Sequence, residues 1–454
     1  MFVLAVFVLA GVVLATGPAR AMAAEQVGTT GPSLTSSEET TPPPGPAATR
    51  LAVKLPSTCD ARATITAIAT LTDEKGMPVA GKTVTILQLK PTTATLGRGT
   101  TDASGRFSAK LSPRTATAVQ AVFAGDARHV ASKSAIRTVK PRVLLGRPWT
   151  HTTIAYPGQR LPARGKLWPK HGSASTATSI RCERYENGKW VYKVRYKAKT
   201  ITTSSGSKYS AVIKLPKTGT WRVAAEHSDS GHAKTIGPYT KIKVKDWRKR
   251  YVGYKNRGFK TDKKMVAITI DDGPGRRTLA FARVLESYGG KGTVFFTRQL
   301  IWRNHKDTLR KVYNRGHEVA NHTVSHKMLI GSYSRSYYQA YKPMATIRSA
   351  TGFDPIWIRA MGGGVDSTGM KAVVATGQLY CNWSIDSYDS HRRYTAPSVL
   401  YRNVIRGVRP GAVILIHETH PETLEALPRI CKELNRRGYK MVTLSELAAQ
   451  SRRR

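Results

Sequence analysis

The sequence predicts a multi-domain protein: two all-β sandwiches followed by an α/β domain, a distorted (β/α)7 barrel. Short alternating segments separated by turn residues fill residues 50–246, which is typical of β-sandwiches. From residue 265 onward, apolar strands alternate with helix-length segments, which indicates an α/β fold. Polar groups able to bind metal or transfer protons follow five of the seven predicted strands, and the strand ends are where such barrels hold their chemistry.

The N-terminal region carries a secretion pattern. Residues 2–16 are almost entirely apolar and lead into small residues, which predicts a signal peptide over residues 1–23. This run is shorter than the ~20 residues of a membrane span, but no Lys or Arg precedes it, so an uncleaved N-terminal anchor is the alternative. Residues 24–49 are rich in Thr, Pro and Ser and predict a disordered linker. We therefore expect a secreted or envelope-associated protein.

Two β-sandwiches are predicted over residues 50–143 and 144–246. Alternating segments such as 63–71 support the first of them. The segment 75–86 resembles bacterial Ig-like modules of surface proteins, and that resemblance implies a spacer or a binding module rather than a catalyst. In the second sandwich, Asn-Gly inside residues 185–191 predicts a hairpin.

A basic connector over residues 247–264 leads to the C-terminal domain, predicted over residues 265–450. The predicted strands are 265–270, 292–296, 317–320, 356–359, 379–385, 412–416 and 440–443. The helices predicted between them are 276–288, 306–314, 336–350, 367–375, 398–407 and 421–437.

Two carboxylates and two histidines suggest a metal centre. Asp271 and Asp272 follow the first apolar strand, and two adjacent carboxylates persist most easily when one binds a metal and the other holds or removes a proton. His322 and His326 are four residues apart, which predicts that one helical turn presents both rings to an ion. Two imidazoles and a strand-end Asp leave coordination positions open, as in catalytic sites. Zinc is the expected metal, and cobalt or iron would fit the same ligands.

The order of the motifs resembles the polysaccharide deacetylase family, also called the NodB-homology domain or carbohydrate esterase family four. The matching motifs are Thr-Ile-Asp-Asp-Gly-Pro at 269–274, His-Thr-x-x-His at 322–326, Arg-x-x-x-Gly at 359–363, Trp-x-x-Asp-x-x-Asp at 383–389 and Leu-Ile-His at 415–417. The resemblance covers residues 265–447. It implies a distorted barrel and metal-dependent removal of acetyl groups, usually from N-acetylated sugars.

The resemblance also implies catalytic roles. Asp271 would be the general base, while Asp272, His322 and His326 would hold the metal. His417 would be the general acid. Amide hydrolysis agrees with these roles, because a divalent ion polarises the carbonyl and the leaving amine must be protonated.

Further positions follow from the same resemblance. Arg359 would tune the base, and Asp389, in preference to Asp386, would orient the catalytic histidine. Three positions would shape the substrate pocket: Gly362, whose amide would hold the oxyanion, and Trp383 and Leu415, which would wall the acetyl group. Two residues depart from the family pattern, since Met361 replaces a usual Pro and Ser390 replaces a common Trp. These departures leave the substrate less defined than the reaction.

The charge of the chain indicates polyanionic partners. The formal net charge is +45, with 38 basic and 10 acidic residues between positions 50 and 250, and 34 basic and 15 acidic residues after them. Such a field attracts polyanions, but no nucleic-acid recognition motif is present. We therefore expect anionic cell-wall polymers and an N-acetylated polysaccharide substrate as partners, no specific nucleic acid, and no obligate protein partner.

Other interpretations stay open at this point. Four cysteines are few for a disulfide scaffold; Cys381 and Cys431 fall in one domain and could pair, whereas Cys59 and Cys182 fall in different sandwiches. One alternative function is a non-catalytic cell-wall-binding protein with a drifted barrel. Another is a hydrolase of O-acetyl esters or of non-sugar amides.

Overall fold

The computed structural model describes residues 45–173, 175–301, 305–392 and 394–452. The predicted signal peptide and most of the predicted linker lie outside these residues. Among the described residues, no helix has both the length and the apolar character that a membrane crossing requires.

Two mainly antiparallel sheets enclose one apolar core in the first domain. Its strands are β1 (Thr49–Lys54), β2 (Thr58–Asp60), β3 (Ile65–Asp73), β4 (Thr83–Lys90), β5 (Ala94–Thr100), β6 (Arg106–Leu111), β7 (Thr117–Phe123), β8 (Ser132–Lys133) and β9 (Arg137–Arg142). One sheet has the order β1-β3-β6, and the other has the order β2-β9-β7-β4-β5, with β8 on β7. Alternating residues such as Leu71 and Ile86 meet between the sheets.

The second domain repeats this plan of two sheets around a core. Its strands are β10 (Leu144–Leu145), β11 (Ile154–Ala155), β12 (Arg160–Trp168), β13 (Thr178–Glu186), β14 (Lys189–Lys197), β15 (Lys199–Thr203), β16 (Gly206–Lys214), β17 (Gly219–His227), β18 (Thr235–Ile236) and β19 (Thr240–Val244). The sheet orders are β10-β12-β16-β15 and β11-β19-β17-β13-β14, with β18 on β17. The predicted hairpin joins β13 to β14 through Asn187 and Gly188, both at positive φ. The sheet-rich N-terminal region is thus confirmed.

The C-terminal domain is built on a parallel sheet. Its strands are β20 (Met265–Gly273), β21 (Thr293–Phe296), β22 (Glu318–Asn321), β23 (Trp357–Ile358), β24 (Leu379–Tyr380), β25 (Ile385–Asp386), β26 (Val413–His417) and β27 (Lys440–Met441). The order is β24-β23-β22-β21-β20-β26-β25, and β27 pairs with the start of β20. Strands β20 to β26 therefore form a barrel-like ring of seven with a seam between β24 and β25, which confirms the barrel fold.

Two strand predictions need correction at this seam and at the end of the domain. The fifth predicted strand, 379–385, is two short strands, because the segment between β24 and β25 leaves the sheet; Cys381 there bridges to Asn256 of the connector. The seventh predicted strand is only the two-residue β27, so β25 supplies the seventh strand of the ring in its place.

Helices cover the outside of the ring. They are α1 (Thr278–Ser287), α2 (Arg298–Leu300), α3 (Lys306–Asn314), α4 (Tyr333–Thr351), α5 (Ser367–Ala375), α6 (Pro397–Arg406), α7 (Pro421–Arg436) and α8 (Leu444–Gln450). All six predicted helices are present within three residues at each end, and α2 and α8 were not predicted. Because the sheet is covered on both faces, β20 buries nearly every residue instead of alternating.

The connector is part of the C-terminal domain rather than a bare link. It forms a 3-10 turn over Arg248–Tyr251, and Trp247 and Phe259 are buried in the core with Trp357 of β23. The ring of Trp247 stacks on that of Trp357 with centroids 6.2 Å apart. Aromatic burial of this kind orders a segment whose basic composition alone predicts only a solvated connector.

The four cysteines are free thiols, and each is buried. The pairing of Cys381 with Cys431 that the sequence left open is therefore absent. Cys381 packs beside the connector and Cys431 belongs to the core under α7, so the two side chains lie in different apolar clusters.

Candidate active site

The site begins at the C-terminal end of the central strand β20. Asp271 is 2% exposed, and its Oδ1 accepts a hydrogen bond of 2.8 Å from Arg359 Nη1. The Arg359 guanidinium is fully buried and also donates to Thr269 Oγ1 and to the carbonyls of Cys381 and Asn382. Its five donors are thus nearly all committed, which fixes the position of the carboxylate.

Three candidate metal ligands converge beside this pair. His326 Nε2 lies 3.2 Å and His322 Nε2 lies 3.4 Å from Asp272 Oδ1. The ligand atoms of Asp272, His322 and His326 all lie within 4.8 Å of one another. His322 Nδ1 donates to the Arg359 carbonyl at 2.9 Å, which leaves Nε2 as the nitrogen that faces the carboxylate.

The donor set fits a catalytic divalent cation. It contains two imidazoles and one carboxylate, three ligands rather than four, and the His326 side chain is 41% exposed. Water and substrate can therefore reach the remaining coordination positions. The backbone carbonyl behind His322 supplies the outer contact that ordinarily orients a metal-binding imidazole.

The predicted helical turn between the two histidines is wrong. Thr323 and His326 have φ of 68° and 53°, in the left-handed region, so the segment is an irregular loop. Side chains satisfy its amides: Asn321 accepts from Thr323 N–H, and Gln339 of α4 accepts from Val324 N–H. The structure thus brings the two histidines together through packing of this loop on α4 and not through a helical turn.

A second polar pair lies on the neighbouring strand β26. His417 is the register partner of Asp271, and its Nδ1 lies 2.7 Å from Asp389 Oδ1. Asp389 also accepts from the His417 amide and from Thr423 Oγ1. Because the carboxylate holds Nδ1–H, Nε2 is the free nitrogen of the ring. Asp386 instead accepts from Trp383 Nε1 at 3.1 Å, so it does not orient His417.

The three predicted pocket residues differ in their exposure to solvent. Leu415 is 3% exposed on β26, and the half-buried Trp383 ring lies 5.5 Å from the Arg359 guanidinium. Gly362 has φ of 56° inside the 3-10 turn Met361–Gly363, so its backbone is exposed in a conformation that favours glycine. Ser390 is exposed beside the buried Asp389 and leaves that edge open.

The electrostatics of the two acid–histidine groups differ. Burial disfavours the charge of Asp272, but the hydrogen bond and positive charge of His322 outweigh it and lower the pKa of Asp272 to about 2. Burial also disfavours the charge of His417, but Asp389, through its hydrogen bond and its charge, raises the pKa of His417 to about 9. Desolvation is the first cause of the lowered pKa of His326. A neutral His326 keeps the lone pair that a metal requires.

Sequence reasoning missed the supporting residues. Thr423 at the start of α7 donates to Asp389, and Thr269 donates to the backbone of β26 while it accepts from Arg359. Thr269 could have been noted, since it lies two residues before Asp271 on the same strand and points to the same face. No sequence signal marks Thr423 or Gln339, because their partners are far away along the chain.

The chain resembles known deacetylases over its C-terminal part. Residues 258–380 match the family model for polysaccharide deacetylase. The peptidoglycan-N-acetylglucosamine deacetylase PgdA of Listeria monocytogenes is 27% identical over 190 residues, 41% of this chain and 39% of the relative. A peptidoglycan-N-acetylglucosamine deacetylase of Bacillus cereus is 27% identical over 201 residues, 43% of this chain and 93% of the relative. The chain thus spans about two fifths of the length of the Listeria relative.

A further relative and a solved structure are similar to the same part of the chain. The peptidoglycan-N-acetylmuramic acid deacetylase PdaC of Bacillus subtilis is 28% identical over 198 residues, 42% of this chain and 40% of the relative. A crystal structure of a peptidoglycan N-acetylglucosamine deacetylase is 25% identical and covers 46% of this chain and 98% of its own, with a TM-score of 0.42. The matched family model and these relatives identify a polysaccharide deacetylase domain, also called a NodB-homology domain, in the C-terminal part of this chain.

Proposed function

We propose that this protein is an exported, metal-dependent polysaccharide deacetylase that hydrolyses N-acetyl groups of cell-wall amino sugars. The single observation that carries the proposal is the convergence of three candidate metal ligands with two buried polar pairs, Asp271–Arg359 and His417–Asp389, at the C-terminal ends of adjacent strands. Amide hydrolysis requires this combination of a cation site, a base and an acid.

Asp272, His322 and His326 would hold the cation, and zinc is the metal we propose. A divalent cation bound there would supply Lewis acidity that polarises the acetyl carbonyl and eases deprotonation of water. Imidazole ligands favour zinc, although cobalt or iron would accept the same ligand set.

The proton transfers are assigned to residues on adjacent strands. Asp271 would take the proton from the attacking water, and its bond to Arg359 would hold the carboxylate in place. His417, protonated through its contact with Asp389, would deliver a proton to the leaving nitrogen. The base and the acid thus enter the reaction in opposite protonation states.

Substrate contacts would come from the rim. The Gly362 amide would stabilise the oxyanion, because its left-handed turn leaves this part of the backbone exposed. Trp383 and Leu415 would enclose the acetyl methyl group. The named relatives act on peptidoglycan amino sugars, which is why we propose N-acetylglucosamine or N-acetylmuramic acid units as the substrate class.

The N-terminal part would place the enzyme at its substrate. We propose that the apolar segment at residues 2–16 directs export or anchors the chain at the envelope. The two β-domains, the first of which carries the segment 75–86 that resembles bacterial Ig-like modules, would serve as spacers. Their high positive charge would favour anionic wall polymers.

Acetate release by the full chain tests the proposed reaction. We expect zinc-loaded protein to release acetate from purified peptidoglycan or from N-acetylglucosamine oligomers. Asp271→Asn should lower the rate by about 10²-fold or more, because the base is lost, while bound zinc stays at the wild-type level. His326→Gln should lose both zinc and activity, since it removes a ligand.

Asp307→Asn on α3 serves as the matched control, because its side chain is 71% exposed and outside the site. It should keep full activity. Release of acetate from O-acetylated substrates alone would contradict the amide proposal and favour an esterase. A zinc-loaded protein that releases acetate from none of these substrates would favour the wall-binding interpretation.

A further inference from the structure

A second cluster of candidate metal ligands lies in the second β-domain, away from the deacetylase site. His171 follows β12, His227 ends β17, and Asp229 and His232 lie in the loop that leads to β18. Four atoms, one from each side chain, lie within 4.8 Å of one another. The three imidazole side chains are 8%, 0% and 8% exposed, so the cluster is almost closed to solvent.

The carboxylate of Asp229 lies at the centre of the cluster. Its Oδ2 is 2.9 Å from His227 Nε2 and 3.4 Å from His171 Nε2, and its Oδ1 is 2.9 Å from His232 Nδ1. The imidazole rings surround it with centroids 4.5 to 5.6 Å apart. Ligand atoms around a tetrahedral zinc lie about 3.4 Å apart when the bonds are about 2.1 Å. The observed separations are close to that value.

Each imidazole has an inner nitrogen that faces Asp229 and an outer nitrogen that faces away from it. The hydrogen bond of the outer nitrogen determines whether the inner nitrogen carries a proton or a lone pair. His171 Nδ1 lies 2.8 Å from the Pro169 carbonyl, and His232 Nε2 lies 2.9 Å from the Arg114 carbonyl. A carbonyl only accepts, so each of these nitrogens must carry the proton. If the ring is neutral, its inner nitrogen then carries a lone pair that is directed at an Asp229 oxygen. The nitrogen and the oxygen are both acceptors, and no proton lies between them.

This conflict between two acceptors is clearest at His171. Its Nε2 is buried and has no hydrogen-bond partner, although the Asp229 carboxylate is 3.4 Å away. A buried nitrogen without a partner costs about 1–3 kcal/mol. Protonating all the inner nitrogens would give two to three like charges in a closed space against one carboxylate, which is also unfavourable. A cation between the acceptors removes both problems.

We propose that His171, His227, Asp229 and His232 form a second metal site with zinc as its preferred ion. Three imidazoles and one carboxylate provide four protein ligands, the number that closes a structural zinc site. The outer contacts to Pro169, Thr178 and Arg114 orient the rings, as the outer partners of metal-binding histidines do.

The position of the site assigns it a structural role. Arg114, whose carbonyl holds His232, belongs to the loop between β6 and β7 of the first domain. Beside it, Thr115 Oγ1 donates to the Gly231 carbonyl, and Ala233 N–H donates to the Pro141 carbonyl. A metal ion would therefore fix the loop between β17 and β18 against the first domain and set the angle between the two β-domains.

Zinc content of the full chain after loading and dialysis tests this proposal. Wild-type protein should hold two zinc ions per chain. His322→Gln with His326→Gln removes the deacetylase ligands and should leave one ion. His227→Gln with His232→Gln should also leave one ion, and acetate release should continue. All four substitutions together should leave none. The zinc content of these variants thus reports the occupancy of each site without relying on deacetylase activity.

The control is His129→Gln, which removes a histidine paired with Asp126 alone and should still bind two ions. Cobalt loaded into the His322→Gln, His326→Gln protein should give the strong visible absorption of a four-coordinate centre. If the His227→Gln, His232→Gln chain does not fold, Asp229→Asn, which keeps the side-chain volume, should lower zinc retention in the His322→Gln, His326→Gln background. A folded His322→Gln, His326→Gln protein that binds no zinc would overturn the proposal, and so would zinc that persists after all four substitutions.

Discussion

The pair formed by His417 and Asp389 shows how one contact sets a protonation state. An isolated imidazole has a pKa near 6.5, and burial alone would lower it. Asp389 reverses this effect at a distance of 2.7 Å, and the pKa of His417 rises to about 9. The histidine therefore stays protonated through neutral pH, as a general acid must before it donates.

This contact predicts a shift in the pH profile of the enzyme. Below pH 9 the wild-type His417 is protonated, so acetate release should decline as the pH rises through about 9. In Asp389→Asn the stabilising charge is gone and the pKa falls, so the decline should begin at lower pH. Initial rates between pH 5.5 and 10 measure the shift.

Asp386→Asn is the comparison for this experiment. Asp386 accepts from Trp383 and from the Tyr388 amide and makes no contact with His417. Its substitution should therefore leave the decline in rate at high pH where it is in the wild type. A decline at the wild-type pH in Asp389→Asn, or an equal shift of the decline in Asp386→Asn, would contradict the assignment of Asp389 as the residue that raises the pKa of His417.

At the scale of elements, the strand ends and the loops behind them hold the site together. The segment after His326 forms a bridge between Leu329 and Val365, just before α5. Helix α5 approaches this bridge at Gly369, where an added Cβ would lie 1.9 Å from the Leu329 carbonyl oxygen. Only a residue without a side chain allows the helix to pack this close to the loop.

Gly369→Ala should therefore destabilise the C-terminal domain. The backbone carbonyl cannot move aside without opening the bridge, and overpacking of this kind costs about 1–3 kcal/mol. The free energy of unfolding in urea measures the loss. Ser367→Ala, at an exposed position in the same turn, should change stability by less than about 0.5 kcal/mol. Equal stability of the two variants would contradict this prediction, because it would show that the Leu329 carbonyl can move aside at little energetic cost.

At the scale of the whole molecule, the second β-domain packs against the barrel. The His151 ring stacks on Tyr313 of α3 with centroids 4.1 Å apart, and Arg164 donates to Asn314 at 2.8 Å. Burial lowers the pKa of His151 to about 4. The folded protein therefore keeps this ring neutral in a pH range where the unfolded chain, with a pKa near 6.5, binds a proton.

Stability should consequently fall as the pH falls from about 6.5 towards 4. The sign follows because the unfolded state takes up the proton first, so acid favours unfolding. In His151→Phe the stack on Tyr313 is kept but the titration is lost, so the slope of unfolding free energy against pH should decrease. Urea unfolding at several pH values measures it. His129→Gln, outside this contact, should keep the wild-type slope; an unchanged slope in His151→Phe would contradict the prediction.

The charge of the molecule predicts salt-sensitive attachment to cell walls. A net charge of +45 spread over all folded parts attracts anionic polymers, and in about 1 M salt the Debye length shrinks to about 3 Å. Protein bound to isolated walls at low ionic strength should therefore be released at high salt. Walls stripped of anionic polymers should bind much less. Attachment that resists salt would indicate specific recognition or an anchor.

The sequence by itself predicted the fold classes and six helices, because periodicity is a local property. Its strand-end motifs, together with the family that they resemble, pointed to the site residues. The sequence predicted neither the irregular loop of His326, nor the division of the predicted strand 379–385 into two strands, nor the ordered packing of Trp247. It also gave no sign of the cluster of His171, His227 and His232. Only the tertiary structure decides these features, since each depends on partners such as Gln339, Asn256 and Arg114 that lie far away along the chain.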